Sequence, residues 1–192
     1  DARTNGSCSD NYVLVRTWTG FDSCGNSNTC TQNIKVLDTT RPVISCPPNI
    51  TISCDIGTEP GATGKATATD KCTDIIEDIS YIDVLTPGNC EGNFTLSRKW
   101  TAKDSCGNSK QCSQNITVFD TSKPIIICPP DLTRICGSNT DPINTGIAIA
   151  KDYCLDSLVN LVYVDSTIVG TCNGIYAIQR TWKATDNCGN SS

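Results

Sequence analysis

The stretch RTWTGFDSCGNSNTCTQNIKVLDTTRPVISCPP (16–48) returns 82 residues later as RKWTAKDSCGNSKQCSQNITVFDTSKPIIICPP (98–130). Its first part returns once more as RTWKATDNCGNSS (180–192). Outward from this stretch the cysteines keep the same register. Cys8, Cys90 and Cys172 are equivalent, as are Cys24, Cys106 and Cys188; Cys30 matches Cys112, Cys46 matches Cys128, Cys54 matches Cys136 and Cys72 matches Cys154. One small module copied in tandem produces such a pattern, which makes the unit of function an array. The 192 residues hold two periods with 28 residues left over, so the chain is expected to start and stop inside a module.

A module of this size lies near the lower limit for a self-sufficient core, where burial leaves only about 3–5 kcal/mol of stability. Six cysteines per repeat supply restraint, each bridge being worth about 2–4 kcal/mol, and they point to an oxidising, extracellular or cell-surface setting. Histidine is absent and no CxxC pair occurs, which argues against a zinc site. Without histidine the usual Ser-His-Asp and Cys-His relays are also impossible, so the chain reads as no enzyme. The net charge is −5, and Lys and Arg are scattered rather than striped, which disfavours nucleic acid as a partner. No apolar run approaches the roughly 20 residues that cross a bilayer, so no membrane insertion is expected in this segment.

Short β-branched and aromatic runs alternate with Gly, Pro, Asn and Asp clusters, and no stretch has a helical period. NYVLVRTWTGFD (11–22), TQNIKVLD (31–38), NITIS (49–53), GKATATD (64–70), ISYIDVL (79–85), NFTLSRKWTAKD (93–104) and GIYAIQRTWKATD (174–186) read as strands. About seven strands per period is the signature of an all-β fold of tandem immunoglobulin-like Greek-key sandwiches. DTTRP (38–42) and DTSKP (120–124) mark the joints, because proline stiffens the chain and cannot donate to a ladder. The expected organisation is the C-terminal half of one module (1–38), a complete module (39–120) and a module without its last strand (121–192). Trp18, Trp100 and Trp182 take equivalent places and read as one core tryptophan per module rather than as sugar-stacking platforms.

The strings RTWTxxDSCGNSxxC, TQNIxVxDTTxPxIxCPP and ITISCD together resemble the hyalin-repeat (HYR) type of immunoglobulin-like domain. The multi-cysteine form repeated in very large bacterial surface proteins, notably Bacteroidetes adhesins, is the variant they look most like. The resemblance covers the whole chain and implies an extracellular β-sandwich within a long adhesive or structural stalk. It carries no catalytic residue set. The implied partners are neighbouring modules and copies of the same protein. The rival expectation is an adhesin module whose loops bind glycans or a protein.

Six cysteines allow 15 connectivities. The assumed strand order places Cys54 and Cys90 at one end of the sandwich, and Cys46, Cys72, Cys106 and Cys112 at the other. The expected bridges are therefore Cys54–Cys90, Cys72–Cys106 and Cys46–Cys112, with Cys136–Cys172 and Cys154–Cys188 in the last module. A local alternative joins Cys106 to Cys112 across the GNSKQ turn and leaves Cys46 with Cys72. In the first scheme Cys8, Cys24, Cys30 and Cys128 have no partner within the sequence. Asp70 and Asp74 flank Cys72, and Asp104 ends the strand before Cys106; Asp152, Asp156 and Asp186 repeat the set. Convergent hard oxygen ligands suit calcium, the one cofactor considered, whereas turn-capping by Asp side chains explains the same residues without any ion. Five N-x-S/T sequons, at Asn5, Asn49, Asn93, Asn115 and Asn190, are candidate glycan sites.

Overall fold

The computed structural model describes residues 1–72, 76, 78–154, 159–172 and 174–192. Half of the chain is strand and only 4% helix, so the fold is all-β. Thirteen strands are assigned among the described residues: β1 (Ala2–Asn5), β2 (Tyr12–Phe21), β3 (Ser27–Val36), β4 (Val43–Ser45), β5 (Ile50–Ser53), β6 (Thr67–Thr69), β7 (Ile79–Pro87), β8 (Phe94–Lys103), β9 (Ser109–Phe119), β10 (Ile125–Ile127), β11 (Ile149–Lys151), β12 (Asn160–Val169) and β13 (Tyr176–Thr185). Two single-turn helices, α1 (Pro60–Thr63) and α2 (Pro142–Thr145), complete the set, and no helix of the described residues is long and apolar enough to cross a membrane.

The segment VISCPPNITISC (43–54) is divided by Pro47 and Pro48 into β4 and β5. Neither proline can donate to a ladder, so the chain changes partners there. Before them β4 pairs antiparallel with β6; after them β5 pairs parallel with β9, in register from Ile50↔Ile116 to Ser53↔Phe119. The sheet order is β5-β9-β8-β7, beside the sheets β1-β2-β3, β4-β6, β10-β11 and β12-β13. Along β8 the inward positions Leu96, Arg98, Trp100 and Ala102 alternate with exposed Ser97 and Lys99, the period of two that a strand imposes.

Backbone packing divides the chain into two compact units whose limits differ from the expected modules 1–38, 39–120 and 121–192. Unit 1 comprises 1–49, 63–84 and 97–115; unit 2 comprises 50–62, 85–96 and 116–192. The core of unit 1 gathers Ala68, Ile76 and Ala102, with Ile44 and Ile79 packed against them. In unit 2, Ile52, Leu96, Ile116 and Val118 form the core, with Ile50, Cys54 and Phe94 alongside.

A polar cluster sits within unit 1. Arg98, 1% exposed, donates from Nε and Nη2 to the two carboxylate oxygens of Asp83 (2.8 Å each) and from Nη1 to Thr63 Oγ1 (2.9 Å). Its guanidinium lies 4.4 Å from the Tyr81 ring centroid, and Tyr81 packs on Trp100. Gln114 Nε2 donates to the carbonyls of Thr63 (2.7 Å) and Pro48 (3.0 Å). Buried polar groups persist when they are paired in this way. Unit 2 repeats the motif 82 positions on: Arg180 grips Asp165 (2.7 and 2.8 Å) and donates to Thr145 Oγ1 (2.8 Å). Trp100 is buried, as a core residue should be, but Trp18 is 57% exposed.

Four bridges form: Cys8–Cys106, Cys46–Cys112, Cys54–Cys154 and Cys90–Cys188, each inside one unit. Cys46–Cys112 is the pair that strand order suggested. The rest depart from expectation. Cys54 meets Cys154 rather than Cys90; Cys106 meets Cys8 rather than Cys72 or Cys112; Cys188 meets Cys90 rather than Cys154. Cys136 and Cys172 are not joined, both being free thiols, and Cys8 does have a partner within the sequence. The physical reason is that the loops carrying Cys8 and Cys90 lie against the DSCGN-type turn of the following repeat, bringing Cα atoms within 5.1 and 5.2 Å. A disulfide requires such proximity. Bridges at this density indicate an oxidising environment.

Candidate functional site

The residues that carry the most chemistry lie where one repeat passes into the next. The joint formed by DTTRP lies wholly within unit 1, and the joint formed by DTSKP wholly within unit 2. Each is built from three chain segments by local rules. The first is the DSCGN turn. Asp104 Oδ1 accepts from the amides of Cys106 (2.9 Å) and Asn108 (2.8 Å), and Asp186 Oδ1 accepts likewise from Cys188 and Asn190 (2.8 Å each). Gly107 and Gly189 take φ of +92° and +91°, a region open to glycine at low cost. The second segment is the loop that ends in Asn11 or Asn93. Asn11 Oδ1 accepts from the Asp38 amide (2.6 Å), and Asn93 Oδ1 from the Asp120 amide (2.7 Å). The third is the joint strand itself, whose Asp38 and Asp120 carbonyls accept from Asn108 Nδ2 (3.4 Å) and Asn190 Nδ2 (3.2 Å).

Carboxylates gather at both places. In unit 1, Asp38, Asp70 and Cys72 each bring one ligand atom within 4.8 Å of the others, and Asp10, Asp38 and Cys106 form an overlapping group. In unit 2 the group is Asp120, Asp152 and Asp186, lining a small recess with Glu91, Gly92, Asn187 and Cys188. A further trio joins Asp120 to the sulfurs of Cys54 and Cys154. Asp70 and Asp152 each receive an amide bond on Oδ1, from Cys72 (2.9 Å) and Cys154 (2.8 Å). Asp38 Oδ2, Asp70 Oδ2 and Asp152 Oδ2 are buried and accept no hydrogen bond.

The sequence-derived calcium set maps onto this picture unevenly. Asp70, Asp152 and Asp186 lie in the clusters. Asp104 does not: both of its oxygens serve the turn, the second accepting from Asn108 Nδ2 (2.9 Å). Asp74 and Asp156 lie outside the described residues. Asp38 and Asp120 are members that sequence reasoning passed over, having assigned them to the linker alone. Their signal was available, since each D-T-T/S step stands beside a joint that the repeat register marks.

Their electrostatics diverge. The Thr40 hydroxyl and amide hold the Asp38 carboxyl below its usual range, whereas burial pushes Asp120 up, aided by the Asp152 and Asp186 charges and opposed by the Ser122 amide. Three ion pairs occur among the described residues, Arg16–Asp1, Arg98–Asp83 and Arg180–Asp165, and none involves a cluster carboxylate.

Of the sequon asparagines, Asn5, Asn49 and Asn115 are exposed. Asn93 Nδ2 donates to Asn89 Oδ1 (2.8 Å), and Asn190 Nδ2 is engaged by Asp186 and Asp120, so a glycan would displace a loop hydrogen bond at Asn93 and joint hydrogen bonds at Asn190.

The thiols of Cys24, Cys30, Cys72, Cys128, Cys136 and Cys172 are free and exposed. Each is the repeat image of a bridged cysteine. The bridges span 98, 66, 100 and 98 residues. Cysteine classes thus fall into three that begin a bridge and three that end one, with no class in conflict.

No family model matches the chain, and no curated protein matches it.

Proposed function

We propose that the chain is a structural repeat segment of an extracellular fibre or cell-surface stalk, whose repeats are immunoglobulin-like sandwiches joined covalently as well as by the polypeptide. The observation that carries this reading is the pair of equivalent bridges, Cys8–Cys106 and Cys90–Cys188, each linking cysteines of successive repeats. Cys54–Cys154 adds a second bond of that kind at the later joint. If the bridging rule continues through a longer array, two disulfides cross every joint and one closes every repeat. Pulling or proteolysis at DTTRP or DTSKP then cannot separate neighbours. Repeat arrays gain length additively, because each repeat depends mainly on its neighbours. The sandwich assignment is supported by the order β5-β9-β8-β7 with β5 parallel to β9, and by the separate antiparallel pair β4–β6. The absence of histidine and the use of the acidic side chains in turns and joints favour a non-enzymatic role.

Insertion of a protease site at 38–42 or 120–124 tests the reading. After cleavage the fragments should migrate as one species on a non-reducing gel and separate only with reductant. Separation without reductant would overturn the covalent joint. Selective binding on a glycan array by the same chain would favour the adhesin role over the purely structural one.

A further inference from the structure

The joint carboxylates pose an electrostatic problem that the protein alone does not solve. Asp38 and Asp70 are each 7% exposed, both lie in one cluster, and each has a buried Oδ2 without any hydrogen bond. Their Oδ1 atoms, by contrast, are well supplied. The Thr40 amide donates to Asp38 Oδ1 (2.9 Å) and the Cys72 amide to Asp70 Oδ1 (2.9 Å). Thr40 Oγ1 lies 2.6 Å from Asp38 Oδ1 and 3.1 Å from Asp70 Oδ1, but its single proton serves only one of them at a time. Each carboxylate is therefore oriented by backbone donors while one oxygen is kept from water and unpaired. An uncompensated buried charge is costly, and no Arg or Lys pairs with these groups among the described residues.

Unit 2 has a more open counterpart, in which Asp152 Oδ2 is the one orphan oxygen and half-buried Asp120 and Asp186 complete the cluster around the recess. Sulfur differs between the two joints: Cys72 is a thiol, whereas its image Cys154 is in a disulfide. What the joints share is carboxylate oxygen, the donor of a hard cation. Calcium accepts six to eight oxygens in irregular geometry and tolerates water in the remaining positions, whereas magnesium demands a near-ideal octahedron.

We propose that each joint holds one calcium ion, bound by Asp38 and Asp70 in unit 1 and by Asp120, Asp152 and Asp186 in unit 2. The ion ties the linker segment to the loop that follows β6 or β11, and it neutralises the charges that burial would otherwise penalise. The proposal stands on the carboxylate geometry and does not depend on the fibre reading.

The test uses the oxidised 192-residue chain with its free thiols capped by iodoacetamide. Titration calorimetry with calcium chloride should give about two sites per chain with Kd near 10⁻⁴–10⁻³ M, the range of extracellular modules. At roughly 10 mM calcium the melting temperature should rise by about 3–10 °C, and magnesium should do far less. The double variants Asp38→Asn/Asp70→Asn and Asp120→Asn/Asp152→Asn should each lower the stoichiometry from two to one. In EDTA both should melt no lower than the parent, because the amide replaces a repelled oxygen. Peptide mapping of the four bridges checks that they fold. If a variant does not form its bridges, the stoichiometry and calcium-over-magnesium selectivity of the parent chain decide. Absence of a calcium heat and shift would overturn the proposal, as would an equal effect of magnesium or an unchanged stoichiometry in the folded variants. Binding of zinc alone, seen before thiol capping and lost after it, would assign the cluster at Cys72 to the thiolate instead.

Discussion

The joint in unit 1 and the joint in unit 2 keep the same backbone hydrogen bonds while exchanging the side chains around them. Asn11 and Asn93 accept the same amide bond, and Asn108 and Asn190 donate the same carbonyl bond. Around that frame, Asp10 of one joint is replaced by Gly92 of the other, and Thr40 by Ser122. The hydroxyl pair Ser9–Ser105 (2.8 Å) becomes the amide–carboxylate pair Asn187–Glu91 (3.3 Å). Residues 96 positions apart in sequence have changed together and still touch. Asp38 and Asp120 shift in opposite directions: the Thr40 hydroxyl stabilises the first charge, while burial, with the Asp152 and Asp186 charges, disfavours the second. The frame fixes where the segments meet; the surrounding side chains set the charge of the meeting place.

The largest expected contrast between the units comes from their arginine clamps. Arg98→Met removes the partner of Asp83 from a pair whose arginine is 1% and whose aspartate is 27% exposed, and should cost about 3 kcal/mol. Arg180→Met acts on a pair 14% and 33% exposed and should cost roughly 1–2 kcal/mol after allowance for solvent. Urea unfolding followed by hydrogen exchange in each unit measures both, and equal losses would break the distinction.

Bridge removal comes next. Cys106→Ser deletes the bridge that crosses the joint of unit 1 and should cost about 2–4 kcal/mol. Cys188→Ser should cost less, because Cys54–Cys154 still spans the corresponding joint. Adding Cys54→Ser to Cys188→Ser should restore the full loss, read as protease sensitivity at 120–124.

Thr40→Val should cost about 1 kcal/mol by withdrawing the hydroxyl bond to Asp38, while Ser122→Ala should change stability by less than about 0.5 kcal/mol. Similar denaturation midpoints for the two variants would show that Thr40 is not the source of the electrostatic difference.

The smallest effect is one of pH. The Arg180 hydrogen bond holds the folded-state pKa of Asp165 below the usual carboxylate range. Its stabilising contribution is thus complete above the pKa of an unfolded aspartate and fades as pH falls through the lowered folded value. Asp165→Asn should remove that acid-limb dependence in unit 2 and leave unit 1 unchanged, as followed by the Arg180 side-chain NMR signals between pH 6 and 2. A dependence that survives the substitution would place its origin elsewhere.

Much of the local structure was legible in the sequence. The DSCGN turns follow from an Asp that caps two amides and a Gly that accepts positive φ, and strands β2, β3, β8, β9 and β13 follow from alternating apolar positions. The bridges were harder for a definite reason. With an 82-residue spacing between equivalent cysteines, a partner in the same repeat and one in the neighbouring repeat occupy identical sequence classes, so spacing cannot separate Cys106–Cys90-type from Cys106–Cys8-type relations. Only the three-dimensional meeting of the Cys8 loop with the later turn decides. The arginine clamp was missed although it has a readable signal: an Asp stands 15 residues before Arg16, Arg98 and Arg180. The joint aspartates were missed because a linker was read only as a spacer.

A bridge between Cys54 and Cys154 also sets a timetable for biogenesis. At a synthesis rate of about 5–20 residues per second, Cys54 waits on the order of 5–20 s before its partner exists. During that interval the nearer Cys72 is already present, and thiol–disulfide exchange offers it as a wrong partner. Cys54 must stay available as a thiol until the repeat behind it is made. Correct oxidation therefore proceeds in the order of synthesis, and the catalyst of that oxidation must be able to undo premature pairs.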